Sequence, residues 1–238
     1  MANIADIPLA LLAGGLAKRL GGVTGNIPKA MVEIAGRPFI EHQLALLKRN
    51  GLRRVVLCVG HMGEQIEKHL GNGASFGLEL RYSYDGPELL GTGGALRRAA
   101  KLLDKVFFVM YGDSYTDIDY RAVLQSFEAS DALGLMTVLR NDNRWDRSNV
   151  IFRNGRLLSY DKRQPTPDMN YVDYGVAMLR REALERIPAD QPYDLAELYS
   201  ALVAQHQMIG YEVTNRFYEI GTPESLEETR AYLEKVTR

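Results

Sequence analysis

The stretch Ile7-Pro8-Leu9-Ala10-Leu11-Leu12-Ala13-Gly14-Gly15 decides the fold, because it is a continuous apolar run that ends at a pair of glycines. An apolar run without alternating polar residues is typical of a parallel strand that is buried on both faces of a sheet. Its apolar character continues only to Ala17, eleven residues from Ile7, which is too short to span a bilayer. The segment before it carries Asp6 and no lysine or arginine, whereas a secretory signal peptide begins with positive charge. We therefore interpret the run as the first strand of a buried sheet, and we expect no membrane partner.

Strand-like and helix-like segments alternate through the first half of the chain. Further buried strands are predicted at residues 55–59, 78–82, 106–110 and 132–139, and helices at 38–50, 63–70, 92–103 and 120–129. Strands separated by helices imply right-handed crossovers and a parallel sheet with helices on both faces. The predicted fold class is α/β, with a Rossmann-like, doubly wound sheet.

The second half of the chain adds antiparallel structure. Asn154-Gly155 is a strong tight-turn signal between two short apolar segments, 149–152 and 157–160, and it predicts a hairpin. Later strands are predicted at residues 171–179, 209–213 and 217–220, and helices at 181–187, 195–205 and 223–236. We expect a mixed sheet with an antiparallel embellishment, in one domain that covers residues 1–238.

The charges of the chain nearly cancel, with 29 Lys and Arg against 30 Asp and Glu in 238 residues. Neutralising many phosphates needs an excess of basic residues, so this balance argues against a nucleic-acid partner. The apolar fraction of 46% is large enough to fill a core, which excludes low-complexity disorder. The single cysteine, Cys58, excludes an intrachain disulfide and fits a reducing compartment, so we expect a cytoplasmic protein.

Two segments after the first strand suit the binding of phosphate. A glycine-rich turn at Gly14-Gly15 lets backbone N–H groups approach a phosphate, and Arg19 can neutralise its charge. Lys29, which follows Pro28, is well placed to hold a phosphate as a point charge. Each segment alone also fits a plain loop, and neither a Walker P-loop nor the dinucleotide fingerprint occurs in this stretch.

Together, the two segments resemble a known signature. The pattern L-A-G-G-x-x-x-R-L at residues 12–20, followed by P-K-x-M at 28–31, resembles the nucleotide-binding signature of the sugar-1-phosphate nucleotidylyltransferases. Further segments resemble that family in the same order, up to about residue 226: E-L-L-G-T-G-G-A-L at 88–96, G-D-S at 112–114, Y-D-K at 160–162, D-Y-G at 173–175 and E-I-G-T-P at 219–223. The resemblance implies the GT-A-like nucleotidyltransferase fold, with a nucleotide-binding half at 1–139 and a half at 140–238 that binds sugar phosphate and contains the closing helix.

The resemblance also implies a reaction and a role for each matching residue. A sugar 1-phosphate would attack an NTP, giving an NDP-sugar and pyrophosphate. The implied catalytic residues are Arg19 and Lys29, and the implied Mg²⁺ ligands are Asp113 and Glu219. The implied nucleotide-binding residues are Leu12, Ala13, Gly14, Gly15, Glu88, Gly91, Thr92, Gly93 and Asp113. The implied residues for the sugar phosphate are Tyr160, Lys162, Asp173, Tyr174 and Gly175.

Three positions depart from the family pattern. Lys18 stands where a small residue or threonine is usual, and Ala17 stands where glycine is usual. The closing acid is Glu219 rather than aspartate, which is one methylene longer and leaves its geometry as a metal ligand open.

The base and the sugar stay open in the sequence. The short chain looks most like heptose or mannose 1-phosphate guanylyltransferases, which favours GTP, whereas a uridylyltransferase for a glucose-type or amino-sugar 1-phosphate is the alternative. More distant alternatives are a non-catalytic nucleotide-sensing domain and a glycosyltransferase that binds metal through Asp117 and Asp119. The role of Trp145 and the oligomeric state are also open, and a homo-oligomer fits the sequence.

Overall fold

The computed structural model describes residues 2–15 and 27–236 of the chain. The predicted catalytic residue Arg19 lies outside the described residues, as do the two departures at Ala17 and Lys18.

The described residues form an α/β fold, as the sequence predicts. The strands are β1 (Leu9–Leu12), β2 (Glu33–Ile34), β3 (Arg37–Pro38), β4 (Arg54–Val59), β5 (Glu79–Tyr84), β6 (Val106–Tyr111), β7 (Ser114–Tyr115), β8 (Gly134–Arg140), β9 (Val150–Arg153), β10 (Arg156–Tyr160), β11 (Tyr171–Arg180), β12 (Met208–Val213) and β13 (Tyr218–Glu219). The helices are α1 (Phe39–Arg49), α2 (Gly63–Leu70), α3 (Gly91–Ala99), α4 (Tyr120–Glu128), α5 (Leu195–Ala204) and α6 (Pro223–Val236). The residues predicted as a helix at 181–187 form a 3-10 helix, Arg181–Arg186, instead.

The main sheet is mixed, and β1 lies near its centre. Within the described residues its main path runs β10-β9-β11-β6-β1-β4-β5, and β8 pairs with both β11 and β12. The pairs β1–β4, β1–β6 and β4–β5 are parallel, whereas β11 is antiparallel to β6 and to β8. The predicted hairpin is present as β9 and β10, with Asn154 and Gly155 in the left-handed region. The antiparallel embellishment is therefore confirmed.

Both faces of the sheet are covered, which is why β1 is apolar throughout. Leu9 and Leu11 pack on one face together with residues of α1, α2 and α4. Ala10 and Leu12 pack on the other face together with residues of α3 and α5. Successive side chains of a strand point to opposite faces, so a strand between two helical layers needs apolar residues at every position.

Two small ladders outside the main sheet shape the site. The ladder β2–β3 packs with α6 in a third apolar cluster. The ladder β7–β13 pairs Ser114 with Glu219 and Tyr115 with Tyr218. Strands of two residues have no periodicity, so β2, β3 and β7 escape prediction from the sequence. In the described part of the chain, no helix combines the length and the apolar composition needed to cross a bilayer.

Candidate active site

Two adjoining cavities open where the parallel strands end at their carboxyl side. In an open α/β sheet this edge is where ligands bind. The first cavity has a volume of about 540 Å³ and the second about 340 Å³. Tyr111, the last residue of β6, and Asp113, two residues later, line both cavities.

The first cavity collects most of the residues predicted to bind the nucleotide. Predicted residues that line it are Leu12, Ala13, Gly14, Gly15, Lys29, Gly91, Thr92 and Asp113. A methyl group on Gly112 would lie 2.6 Å from the carbonyl oxygen of Leu12, so only glycine lets these two strand ends approach this closely. Gly93 is buried in α3, and Glu88 is exposed and does not line either cavity.

The first turn of α3 is hydrogen-bonded to a segment that the sequence reasoning missed. The carbonyl oxygen of Tyr193 accepts hydrogen bonds from the backbone N–H groups of Gly93 and Gly94, and the N–H of Tyr193 donates to the carbonyl of Leu90. The Thr92 hydroxyl accepts a hydrogen bond of 2.9 Å from the backbone N–H of Leu195, the first residue of α5. Backbone pairing of this kind leaves no side-chain pattern, so nothing in the sequence indicates it.

Asp85, directly after β5, is a second residue of the first cavity that the sequence reasoning missed. It is only 4% exposed, and its Oδ2 atom accepts a hydrogen bond of 3.2 Å from the backbone N–H of Leu90. Its Oδ1 atom is buried without a hydrogen-bond partner among the described residues. Burial raises the pKa of this carboxyl group above its ordinary value. An acidic residue three positions after the strand predicted at 78–82 is the signal that could have found it.

Lys29 and Asp113 form an ion pair between the two cavities. The Nζ atom of Lys29 lies 2.7 Å from Oδ2 of Asp113, and both side chains are partly buried. Lys29 opens a 3-10 helix, Lys29–Met31, after Pro28, and Asp113 follows β6. The lysine of the segment predicted to bind phosphate and the predicted metal ligand therefore lie in contact.

Glu219 reaches the same point through the small ladder β7–β13. The backbone N–H of Ile220 donates a hydrogen bond of 2.9 Å to the carbonyl of Asp113, and both Asp113 and Glu219 line the second cavity. A methyl group on Gly221 would lie 3.0 Å from Oε1 of Glu219, so the absence of a side chain at this position leaves room for the glutamate carboxylate.

This arrangement suits a hard divalent cation that also binds substrate. The described residues contain no group of three or more side chains that could together hold a metal ion. Mg²⁺ usually takes one or two carboxylates and completes its coordination with water and substrate phosphates. Asp113 and Glu219 both line the second cavity and supply two carboxylates, which fits that requirement.

Four of the five residues predicted to bind the sugar phosphate line the second cavity, whereas the fifth, Tyr160, is buried and does not line it. Nζ of Lys162 lies 3.2 Å from Oδ2 of Asp173 and 3.4 Å from the hydroxyl of Tyr111. Burial opposes the charge of Lys162, but Tyr111 and Asp173 beside it outweigh this effect and raise its pKa. Tyr160 stands behind them and donates a hydrogen bond to Asp173. Lys162 is thus held at the cavity wall by its ion pair with Asp173 and its hydrogen bond to Tyr111.

The rest of the predicted sugar site surrounds this lysine. Asp173, Tyr174 and Gly175 line the cavity, and the N–H of Gly175 donates to Oδ1 of Asp173. The register of β11 against β8 shifts between Asp173 and Ala177, which marks a bulge in the strand at this place. Bulges of this kind re-aim side chains next to functional sites.

The alternative metal pair does not face either cavity. Asp119 accepts hydrogen bonds from the N–H groups of Arg121 and Ala122 and caps α4. Asp117 forms an ion pair of 3.0 Å with Arg49. Because these carboxylates have structural partners outside the cavities, the geometry disfavours a glycosyltransferase site built on them.

Comparison with known proteins agrees with this geometry. The chain is 28% identical over 218 residues to a mannose-1-phosphate guanylyltransferase catalytic subunit beta of Drosophila pseudoobscura pseudoobscura, covering 90% of this chain but only 58% of that protein. It is 27% identical over 229 residues to a D-glycero-alpha-D-manno-heptose 1-phosphate guanylyltransferase of Aneurinibacillus thermoaerophilus, covering 94% of this chain and 97% of that protein. Uridylyltransferases are also among the relatives.

A solved structure shares the fold. The crystal structure of HddC from Yersinia pseudotuberculosis complexed with GMP-PN has a TM-score of 0.77 and 25% sequence identity, covering 95% of this chain and 99% of that one. The family model described as nucleotidyl transferase matches residues 10–236. This match covers both cavities and nearly the whole chain, and the chain therefore belongs to the nucleotidyl transferase family.

Proposed function

We propose that this protein transfers a nucleotidyl group from an NTP to a sugar 1-phosphate, releasing pyrophosphate. The observation that carries the proposal is the junction of the two cavities. They share Tyr111 and Asp113, and each has its own lysine, Lys29 in the first and Lys162 in the second. Two phosphate-bearing substrates seated in these cavities would meet beside Asp113.

The reaction that suits this junction needs positioning more than a protein nucleophile. A phosphate oxygen of the sugar 1-phosphate attacks the α-phosphorus of the NTP, and the bond from that phosphorus to the bridging oxygen of the β-phosphate breaks. Lys29, with Arg19 from the segment outside the described residues, stabilises the charge of the triphosphate and of the departing pyrophosphate. Lys162 holds the sugar phosphate for in-line approach. Asp113 and Glu219 would hold Mg²⁺, which would supply charge neutralisation for the phosphates.

Asp85 supports GTP as the nucleotide. Guanine offers two neighbouring donors, N1–H and the amino group on C2, which a carboxylate accepts together. Uracil offers a single N3–H between two carbonyl oxygens, which a carboxylate repels. Asp85 lines the first cavity close to the start of α3, so its carboxylate would suit a base that offers two neighbouring donors. Heptose or mannose 1-phosphate is then the first acceptor to test, as in the guanylyltransferase relatives.

Uridylyl transfer remains the alternative activity, because uridylyltransferases are among the relatives. A direct comparison separates the two: pyrophosphate release is measured for each of the four NTPs with Mg²⁺ and the 1-phosphates of mannose, D-glycero-D-manno-heptose, glucose and N-acetylglucosamine. We expect release that requires both substrates and is fastest with GTP and mannose or heptose 1-phosphate. Fastest release with UTP would favour the alternative, and no release from any pair would exclude the proposed activity.

Matched variants connect this activity to the junction. Lys29→Ala should abolish most of the turnover, whereas Lys68→Ala, which removes an exposed lysine from α2, should leave it unchanged. Equal activity in the two variants would remove Lys29 from the mechanism. We further propose a role in cytoplasmic nucleotide-sugar synthesis for cell-surface polysaccharide, where NTPs and sugar phosphates are both at hand.

A further inference from the structure

A surface loop closes one side of the second cavity, and its hydrogen bonds run largely within itself. We call residues 141–148 the wall loop. Asn141 is fully buried and donates to the carbonyl of Asp146 and to the hydroxyl of Ser148. Trp145 N–H donates to the side-chain oxygen of Asn141. These bonds fix the shape of the loop, and Asp146 and Arg147 at its end line the cavity.

Arg216 ties this loop to the segment that carries Glu219. Its guanidinium carbon lies 5.5 Å from the ring centre of Trp145 and 4.8 Å from the ring centre of Tyr218. Trp145 immediately precedes Asp146, and Tyr218 immediately precedes Glu219. One arginine side chain therefore lies against the sequence neighbours of two residues that line the cavity, Asp146 and Glu219.

Arg216 and Tyr218 are both anchored to the last helix, α6. Arg216 forms an ion pair with Glu228 of α6, and Tyr218 stacks on Tyr232 of α6 with ring centres 3.8 Å apart and an angle of 13° between the rings. A cation that lies over the face of an aromatic ring is attracted electrostatically by the ring. The planar guanidinium group of arginine can also stack on such a ring, whereas the ammonium group of lysine cannot. The wall loop therefore contacts, through Trp145, an arginine that is itself anchored to α6.

We propose that Arg216 is a positioning residue for the acceptor substrate: it holds the wall loop, and with it Asp146 and Arg147, in place around the sugar phosphate. The inference rests on the proposed function for the identity of that substrate. None of the wall-loop residues, nor Arg216, lines the first cavity. Loss of the contact should therefore weaken binding of the sugar phosphate and leave NTP binding unchanged.

The kinetic test compares Arg216→Met, Arg216→Lys and the control Arg230→Met. Arg230 lies on α6 and forms a similar exposed ion pair with Glu227, away from the cavity. With the best acceptor from the panel above, Arg216→Met should raise KM for the sugar 1-phosphate by about three- to tenfold. KM for the NTP should stay within about twofold of the wild-type value, because neither Arg216 nor the wall loop lines the first cavity. In Arg216→Lys, KM for the sugar 1-phosphate should lie between the wild-type value and that of Arg216→Met, because lysine keeps the positive charge but lacks the planar group that stacks on the rings.

A spectroscopic test does not depend on turnover. Trp145 is the only tryptophan of the chain, so the intrinsic emission reports on the wall loop alone. In ligand-free protein, Arg216→Met should shift this emission towards that of solvent-exposed tryptophan, and Arg230→Met should not. Titration with the same sugar 1-phosphate, without NTP, should change the wild-type emission at lower ligand concentrations than in Arg216→Met.

The outcomes separate this inference from the proposed function. An equal rise in both KM values, or a loss of thermal stability with unchanged KM, would overturn the positioning role. An unchanged emission spectrum in Arg216→Met would overturn the contact itself. If no sugar phosphate is turned over but the ligand-free spectrum shifts as expected, the proposed reaction fails while the link between Arg216 and the wall loop stands.

Discussion

Replacement of Asp85 by asparagine should change the nucleotide preference if Asp85 binds the base as proposed. The asparagine side chain in Asp85→Asn would keep the acceptor for the backbone N–H of Leu90 but would place an N–H₂ group where the second carboxylate oxygen lies. Under the proposed binding of guanine to Asp85, the base would lose one hydrogen bond to a charged acceptor, which costs about 1.5–3 kcal/mol. This cost corresponds to a fall of about 10- to 150-fold in kcat/KM for GTP. Uracil, which offers a donor beside an acceptor, should lose nothing.

The assay is pyrophosphate release with GTP and UTP at equal concentrations of the acceptor. Asp104→Asn is the matched control, because Asp104 is exposed and pairs with Arg54 far from both cavities. A ratio of GTP to UTP activity that stays within twofold of the wild-type ratio in Asp85→Asn would refute the assignment of Asp85 to the base.

The same replacement should stabilise the ligand-free protein. Burial raises the pKa of Asp85, so the folded state holds this proton more tightly than the unfolded state. The folded state therefore loses stability as the pH rises through that raised pKa and the buried group ionises. The asparagine variant has no such loss, and its advantage in melting temperature over the wild type should grow as the pH rises from the ordinary range of aspartate towards neutrality. An advantage that shrinks with rising pH would show that burial does not raise the pKa of this group.

The remaining predictions concern the junction and the cysteine. Lys29→Ala and Asp113→Asn should each lower turnover by about 10²- to 10⁴-fold with little change in the circular dichroism spectrum, because they remove charge at the reacting phosphates rather than core packing; near wild-type turnover in either variant would show that its role is wrong. Gly221→Ala should weaken the activation of turnover by Mg²⁺, because the added methyl group would lie 3.0 Å from Oε1 of Glu219. An unchanged dependence of turnover on Mg²⁺ would contradict the assignment of Glu219 as a metal ligand. Cys58 is 1% exposed and burial raises the pKa of its thiol to about 12, so iodoacetamide should label it only after unfolding; labelling of the native protein at neutral pH would contradict this.

The fold was largely predictable because its elements carry strong periodicity. The apolar run at β1, the hairpin turn at Asn154-Gly155 and the amphipathic helices each have a local pattern that sequence alone shows. The ladder β7–β13 was not predictable in full, because strands of two residues show no pattern and their pairing spans a long stretch of chain. That ladder is what brings Glu219 to Asp113.

The site was predictable where its residues belong to motifs and not where they act alone. Lys29 and Lys162 stand in recognisable segments, and the structure places them in the two cavities. Asp85 has no motif of its own, since its importance depends on burial and on an unpartnered oxygen, which are properties of packing. The contacts of Arg216 with Trp145 and Tyr218 are likewise a property of packing, which no sequence pattern indicates.

The most direct test of the proposed reaction follows the three phosphorus atoms of GTP in the presence of mannose or heptose 1-phosphate and Mg²⁺. Label at the α-phosphorus should appear in a sugar nucleotide, and label at the γ-phosphorus should appear in pyrophosphate, only when the sugar 1-phosphate is present. Appearance of the γ-label on the sugar, or release of pyrophosphate without any sugar phosphate, would contradict transfer at the junction of the two cavities.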